Sequence, residues 1–281
     1  MEGTSHSRLL TAALIGTAAL LPACKREAPT APAQNPPAAT APAATPAKPP
    51  AQHLDPAQLQ AIARQVMDQQ YGKDNYDAAH RCWKFTSELA DDGGNYCMRA
   101  QGVQQIEVDG QQQVYAFAAN AVDIDQPEYL YGHPSPGLMG AFQLALADDG
   151  SWRLLAGDKA MTFGSNGNCG CEDAKLIRIG AQRYAWHFSS GGVWQGIVVG
   201  SYSLIAPVDG KMLDLSDIPR MTEDDQDSEY TLVADDSDTS KAFFPLRVTK
   251  TTQIADGKSK QSEQVVAFDV SKQTYALPEA D

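Results

Sequence analysis

The sequence predicts a mainly β protein built from antiparallel hairpins, with one helix in front of them. Three observations carry this. A single stretch near residue 54 has helical periodicity, alternating and β-branched runs fill most of the chain after residue 81, and those runs are punctuated by Asp-Gly pairs. Asp-Gly between alternating runs is a strong hairpin signal, because both turn residues must take positive φ and Gly does so cheaply.

The helix is expected to open at Leu54-Asp55-Pro56, with Asp55 as N-cap and Pro56 at the first helical position, where a missing N–H costs nothing. Leu59, Ile62, Ala63, Val66 and Met67 then recur at helical spacing as far as about Gln70, so one face should pack on a sheet. The hairpin turns are Asp109-Gly110, Asp149-Gly150, Asp209-Gly210 and Asp256-Gly257.

An internal echo orders the hairpins. Gly140, Phe142, Leu144, Asp149-Gly150, Trp152 and Leu155 match Gly200, Tyr202, Leu204, Asp209-Gly210, Met212 and Leu215, always 60 positions apart. Ahead of each half stands a second hairpin, Ile106 to Tyr115-Ala116-Phe117 and Ile177 to Tyr184-Ala185-Trp186. A partial third copy is expected from Leu246-Arg247-Val248 through Val265 and Phe268 to Tyr275-Ala276-Leu277, closed by a strand near Cys82-Trp83-Lys84-Phe85. Repeated four-strand units fit a propeller-like array or a duplicated sheet or sandwich.

The N-terminus reads as an export address. Arg8 precedes an apolar stretch from Leu9 to Leu21, and the motif Leu21-Pro22-Ala23-Cys24 ends it. Leu three places before a Cys that comes after a small residue resembles the lipobox of bacterial lipoproteins. The resemblance implies signal cleavage after residue 23 and acylation, including palmitate, at Cys24. Lys25, where Asp would favour inner-membrane retention, implies an outer-membrane anchor with the domain facing the periplasm. Acyl chains at ~0.8 kcal/mol per buried CH₂ hold such an anchor firmly. Residues 24–53 are dominated by Ala and Pro and cannot bury enough apolar surface to fold. They read as a tether reaching at most roughly 90 Å at ~3.1 Å per residue. The expected organisation is a signal peptide at 1–23, the lipidated Cys and tether at 24–53, and one β-rich periplasmic domain at 54–281.

The whole chain has 22 Lys and Arg against 35 Asp and Glu, a net charge of −13. Residues 1–53 hold four of the bases and two of the acids, which leaves 18 bases, 33 acids and a net of −15 on the domain. Phosphate recognition needs a basic footprint, so nucleic acid is not an expected partner. A basic protein is, since opposite charge speeds encounter.

With Cys24 lipidated, Cys82, Cys97, Cys169 and Cys171 remain in an oxidising compartment that favours disulfides. Cys82–Cys97 fits a hairpin closure. Cys169-Gly170-Cys171 leaves three alternatives open: a ring across Gly170, separate bonds to distant partners, or a metal or redox pair, for which no His lies nearby in sequence and no C-x-x-C is present.

No catalytic signature is found, so the domain is expected not to be an enzyme. His187, shortly before Ser189 and Ser190, is the nearest approach to a hydrolase constellation, but no G-x-S-x-G elbow accompanies it. A periplasmic hydrolase using His187 or loop carboxylates is the alternative reading. The acidic runs Glu223 to Glu229 and Asp235 to Asp238 lack the Gly and the bidentate Glu of an EF-hand, so no Ca²⁺ or other cofactor is expected there. Lipobox, linker and a single β-rich domain resemble the layout of toxin immunity proteins, enzyme inhibitors and envelope-assembly factors, a likeness of architecture that lends no residues. The expected function is therefore a membrane-anchored protein-binding module. Its candidate contacts are Tyr129, Tyr131, His133, Asp224, Asp225 and Asp227. Trp186 and Trp194 are expected chiefly to pack the core.

Overall fold

The computed structural model describes residues 53–88 and 94–278. The expected signal segment, Cys24 and the expected tether up to residue 52 lie outside the described residues. Helix α1 runs Pro56–Met67 and opens on a capping box: the Asp55 carboxylate accepts from Gln58 N, and the Gln58 side chain accepts from Asp55 N. This satisfies two end groups that would otherwise lack partners. The helix then widens into a π turn over Asp68–Gly72, and Gly72 ends it at φ +89°.

Fifteen strands come next in chain order: β1 (Tyr76–Asp77), β2 (Cys82–Thr86), β3 (Asn95–Val108), β4 (Gln111–Asn120), β5 (Gly137–Leu146), β6 (Trp152–Phe163), β7 (Lys175–Gly180), β8 (Arg183–Trp194), β9 (Ile197–Val208), β10 (Lys211–Asp214), β11 (Ser216–Met221), β12 (Ser228–Ala234), β13 (Leu246–Ile254), β14 (Lys258–Val266) and β15 (Tyr275–Ala276). They form three sheets. The first is a six-stranded antiparallel meander, β1 to β6 in order. The second has the order β15-β11-β9-β8-β7, with β10 also on β9, and the third is β12-β13-β14. The Asp-Gly turns at 109–110 and 209–210 take positive φ at both residues, the geometry a two-residue hairpin demands, and Asp256-Gly257 does the same within a three-residue loop between the paired Ile254 and Lys258. At 149–150 only Gly150 does, and the loop is longer.

Strand alternation sorts the core into three seams. On β4, Val114 and Ala118 face α1, together with Phe142 and Leu144 of β5. The intervening Tyr115, Phe117 and Ala119 face the second sheet, where they meet Trp186, Phe188, Ile205 and Met212. On the far side of that sheet, Ala185, Leu204 and Ala206 meet Leu232, Leu246, Val248 and Val266 of the third. The order of layers is thus helix, sheet, sheet, sheet. Each large side chain buried in these seams contributes about 1.5–3 kcal/mol.

The sequence echo has a physical counterpart. Tyr115-Ala116-Phe117 and Tyr184-Ala185-Trp186 lie on facing strands, and their like residues meet: Tyr115 and Tyr184 at 6.3 Å between ring centroids, Phe117 and Trp186 at 4.7 Å. The matched pairs Phe142 with Leu144 and Tyr202 with Leu204 point away from this seam on its two sides. The central sheets therefore pack with equivalent faces together, in the manner of a duplicated sandwich. The third unit departs from the expected course. Leu246 to Val248 and Val265 sit on β13 and β14, but Tyr275-Ala276 returns to pair in parallel with β11 in the second sheet. Nor does Cys82 to Phe85 close that unit, because β2 pairs with β1 and β3 in the first sheet.

Candidate functional site

The central seam opens at both ends. At one end, the β8–β9 hairpin, His133 of the 131–137 loop, the 165–170 segment and the end of β11 surround a cleft of about 570 Å³. Gly170 of the Cys169–Cys171 ring lines it. The two cysteines are bonded to one another, with Cα atoms 5.1 Å apart and no exposure to solvent. Gly170 takes φ +66°, and a Cβ there would stand 2.8 Å from Ser189 O, so only Gly lets the ring lie against β8. Its N–H donates to Asn168 Oδ1 at 2.6 Å. Across the ring, a Cβ on Gly137 would overlap the Cys169 backbone. Asn120, 2 % exposed, accepts from Leu138 N and donates to Gly167 O, tying this loop to β5. The ring is thus a buried wedge between the central sheets. Cys82–Cys97 is the other disulfide, joining β2 to β3 with a Cα separation of 5.3 Å. These four cysteines being paired, none of them offers a thiolate to a metal. Among the described residues, no three His, Cys, Asp or Glu side chains gather as metal ligands.

The rim of the cleft is unusual for its exposed apolar groups. The β8–β9 turn is Gln195-Gly196, with φ +52° and +89°. It projects Val193, Trp194 and Val198, which are 51 %, 42 % and 38 % exposed, and Val122 beside them is 47 % exposed. His133 braces the tip. Its Nε2–H donates to Val193 O at 2.8 Å and its ring stands edge-on to Trp194 at 4.5 Å. The 131–137 loop that carries it is held by Asn166 N to His133 O and Gly167 N to Ser135 O. On the other flank, the Gln226 side chain grips the tip backbone, accepting from Val198 N at 2.9 Å and donating to Val198 O at 2.8 Å. This places the acidic loop against the apolar rim. Asp225 is bound to Lys250 at 2.7 Å, a contact that holds its carboxyl below the usual range. Glu223, Asp224 and Asp227 are exposed and, among the described residues, form no ion pair.

Of the six residues expected to contact a partner, His133 lines this cleft, and Asp224, Asp225 and Asp227 lie in the loop that Gln226 joins to the tip. The two tyrosines are placed differently. Tyr129 is 5 % exposed and packs beside the Cys82–Cys97 bond, and Tyr131 stacks on Tyr96 at 5.3 Å and donates to Asn95 O. Trp194, expected in the core, stands on the surface instead. The tip carries no turn signal in the sequence because its turn is Gln-Gly, and Gln is an uncommon residue at positive φ.

His187 lies within β8 and stacks on Tyr202 at 5.6 Å. Its Nε2 is buried and has no hydrogen-bond partner among the described residues. Burial, and then the charge of Lys175, hold its pKa below that of an ordinary imidazole. Ser189 and Ser190 are on the same strand rather than in a turn. A base that activates a serine must reach it by a hydrogen bond, and His187 Nε2 reaches none. No family model, curated protein or solved structure matches the chain.

Proposed function

We propose that the protein is a lipid-anchored, non-enzymatic binding module that faces the periplasm from the outer membrane and holds a basic protein partner at the β8–β9 tip. The observation that carries this reading is the cluster of Val122, Val193, Trp194 and Val198, exposed together at the hairpin tip, to which Gln226 joins a loop whose Glu223, Asp224 and Asp227 form no ion pair among the described residues. Contiguous apolar surface with a polar rim marks a contact site, and a braced Trp is the kind of anchor that carries much of an interface's energy. The acidic loop supplies the charge expected to steer a basic surface toward it. A bound inhibitor target, a toxin or an assembling envelope protein each fits these requirements.

The test is affinity capture from an envelope extract with the full chain and with Trp194→Ala. A stoichiometric basic protein retained by the first and lost with the second is the expected outcome. A partner retained equally by both would place the contact elsewhere.

A further inference from the structure

The opposite end of the central seam holds a second cavity, of about 710 Å³, separate from the β8–β9 tip. Three hairpin turns converge there: Asp109-Gly110 between β3 and β4, Ala181-Gln182 between β7 and β8, and Asp209-Gly210 between β9 and β10. Their ends are knitted together. Gln182 Nε2 donates to Asp109 Oδ1, Gly157 N to Gly210 O at 3.4 Å, and Ala181 N to Lys241 O at 2.7 Å. The cavity is therefore a built feature of the sheet packing, not a gap between loose loops.

Its wall is rich in neutral amides. Gln143 Nε2 donates to both Gln113 Oε1, at 2.9 Å, and the Tyr115 hydroxyl, at 3.0 Å. Gln113 and Gln143 are half-buried and Tyr115 is 1 % exposed, so these amides and the hydroxyl form one linked polar patch on the wall, each group able to donate and to accept. Leu155 and Pro207 give an apolar wall beside them.

This chemistry selects a ligand class. One cation, Arg183, is set against two carboxylates, Asp109 and Asp209, and its guanidinium lies 4.4 Å over Phe243, so the cavity is not an anion site. Asp109 is already bound to Gln182, and no metal-ligating group of three is present among the described residues. What remains is a neutral molecule carrying groups that donate and accept at once and a C–H face to lie on apolar wall. Hydroxyls on a ring meet both demands. We propose that this cavity binds a saccharide, with Tyr115, Gln113 and Gln143 hydrogen-bonding its hydroxyls and Gln182 at the rim.

The experiment is a glycan array probed with the full chain in detergent, and then calorimetry with the best oligosaccharide, a neutral tripeptide and inorganic phosphate. The expected result is binding of a neutral oligosaccharide but not of phosphate or the peptide. Tyr115→Phe, which removes one oxygen and leaves the ring packed, should weaken it about five- to tenfold, the worth of one hydrogen bond. Gln182→Ala, at an exposed position where folding is not at stake, should weaken it severalfold. Trp194→Ala should leave it unchanged, which separates this site from the protein-binding tip. No glycan retained on the array would overturn the proposal. So would saccharide binding indifferent to both cavity substitutions, or a preference for the peptide or phosphate.

Discussion

Phe117 and Trp186 meet edge to face, 4.7 Å between centroids, at the centre of the seam that joins the two main sheets. They are the third residues of two matching triplets, Tyr-Ala-Phe on β4 and Tyr-Ala-Trp on β8, so the repeat in the chain becomes a contact in the fold. Trp186 is fully buried and Phe117 nearly so. Phe117→Ala and Trp186→Ala should each cost about 3–5 kcal/mol, the range for removing a large aromatic from a core that cannot collapse. Because the two rings touch, the double variant should cost less than the two losses added together. Urea denaturation of the four proteins closes the cycle.

Many of these elements are legible in the chain. Asp55 and Pro56 mark the helix start, and Asp-Gly at 109, 209 and 256 marks three hairpins, because those residues do locally what the backbone needs. The 60-residue echo predicts equivalent strands. It does not contain which faces meet. Period two says that Phe117 and Val114 diverge, but not which of them meets a sheet and which a helix. Tyr275-Ala276 reads as the end of a third repeat because nothing local signals that two residues pair in parallel across the chain with Ser216 and Asp217. Trp194 reads as a core residue because side-chain size says nothing about a hairpin that projects beyond its sheet. The cleft and the amide-lined cavity both arise from long-range packing, so no single motif announces either.

Both disulfides should survive in the native protein and fail only with the fold. Cys82, Cys97, Cys169 and Cys171 show no solvent exposure, so a reductant has no sulfur to attack until the chain opens. Peptide mapping without reduction should return 82–97 and 169–171 as the pairs. Millimolar dithiothreitol at neutral pH should leave both intact for as long as the far-ultraviolet signal is native. Replacing Cys82 and Cys97 by Ala should lower stability by about 3 kcal/mol, the loop-closure value for a separation of this size. Reduction of 169–171 in the folded state, at a rate independent of added urea, would show that the ring is reachable and therefore not a buried wedge.

His187 gives the fold a pH dependence whose sign is fixed by its surroundings. Burial first, and the Lys175 charge second, disfavour protonation in the folded state. Once the chain unfolds, the imidazole returns to a pKa near ~6.5. The unfolded state therefore binds more protons in acid, and stability falls as pH drops through ~6.5 toward the lower folded value. Above that window His187 is neutral in both states and contributes no slope. The expected observation is that the stability difference between the wild type and His187→Gln is constant above the window, over roughly pH 7.5 to 8.5, and shifts in favour of the variant between roughly pH 6.5 and 5.5. Parallel curves through the lower range would show that the ring takes up a proton in place, against its packing on Tyr202.

The tip and its acidic loop should divide the kinetics of partner binding between them. Glu223, Asp224 and Asp227 are exposed and form no ion pair among the described residues, so they act at a distance and are screened by salt. The Debye length contracts from ~10 Å at 0.1 M to ~3 Å at 1 M. Raising salt over that range should slow association, and neutralising the three carboxylates together as Gln, Asn and Asn should slow it at low salt by about tenfold while leaving dissociation nearly unchanged. Trp194 acts only on contact, so Trp194→Ala should instead speed dissociation and barely alter association. Asp225 belongs to neither group, since its bond to Lys250 ties β13 to the loop, and Asp225→Asn should register as lost stability of that loop. Surface plasmon resonance across a salt series resolves the two rates. An association rate indifferent to salt would remove the acidic loop from recognition and leave the apolar tip to act alone.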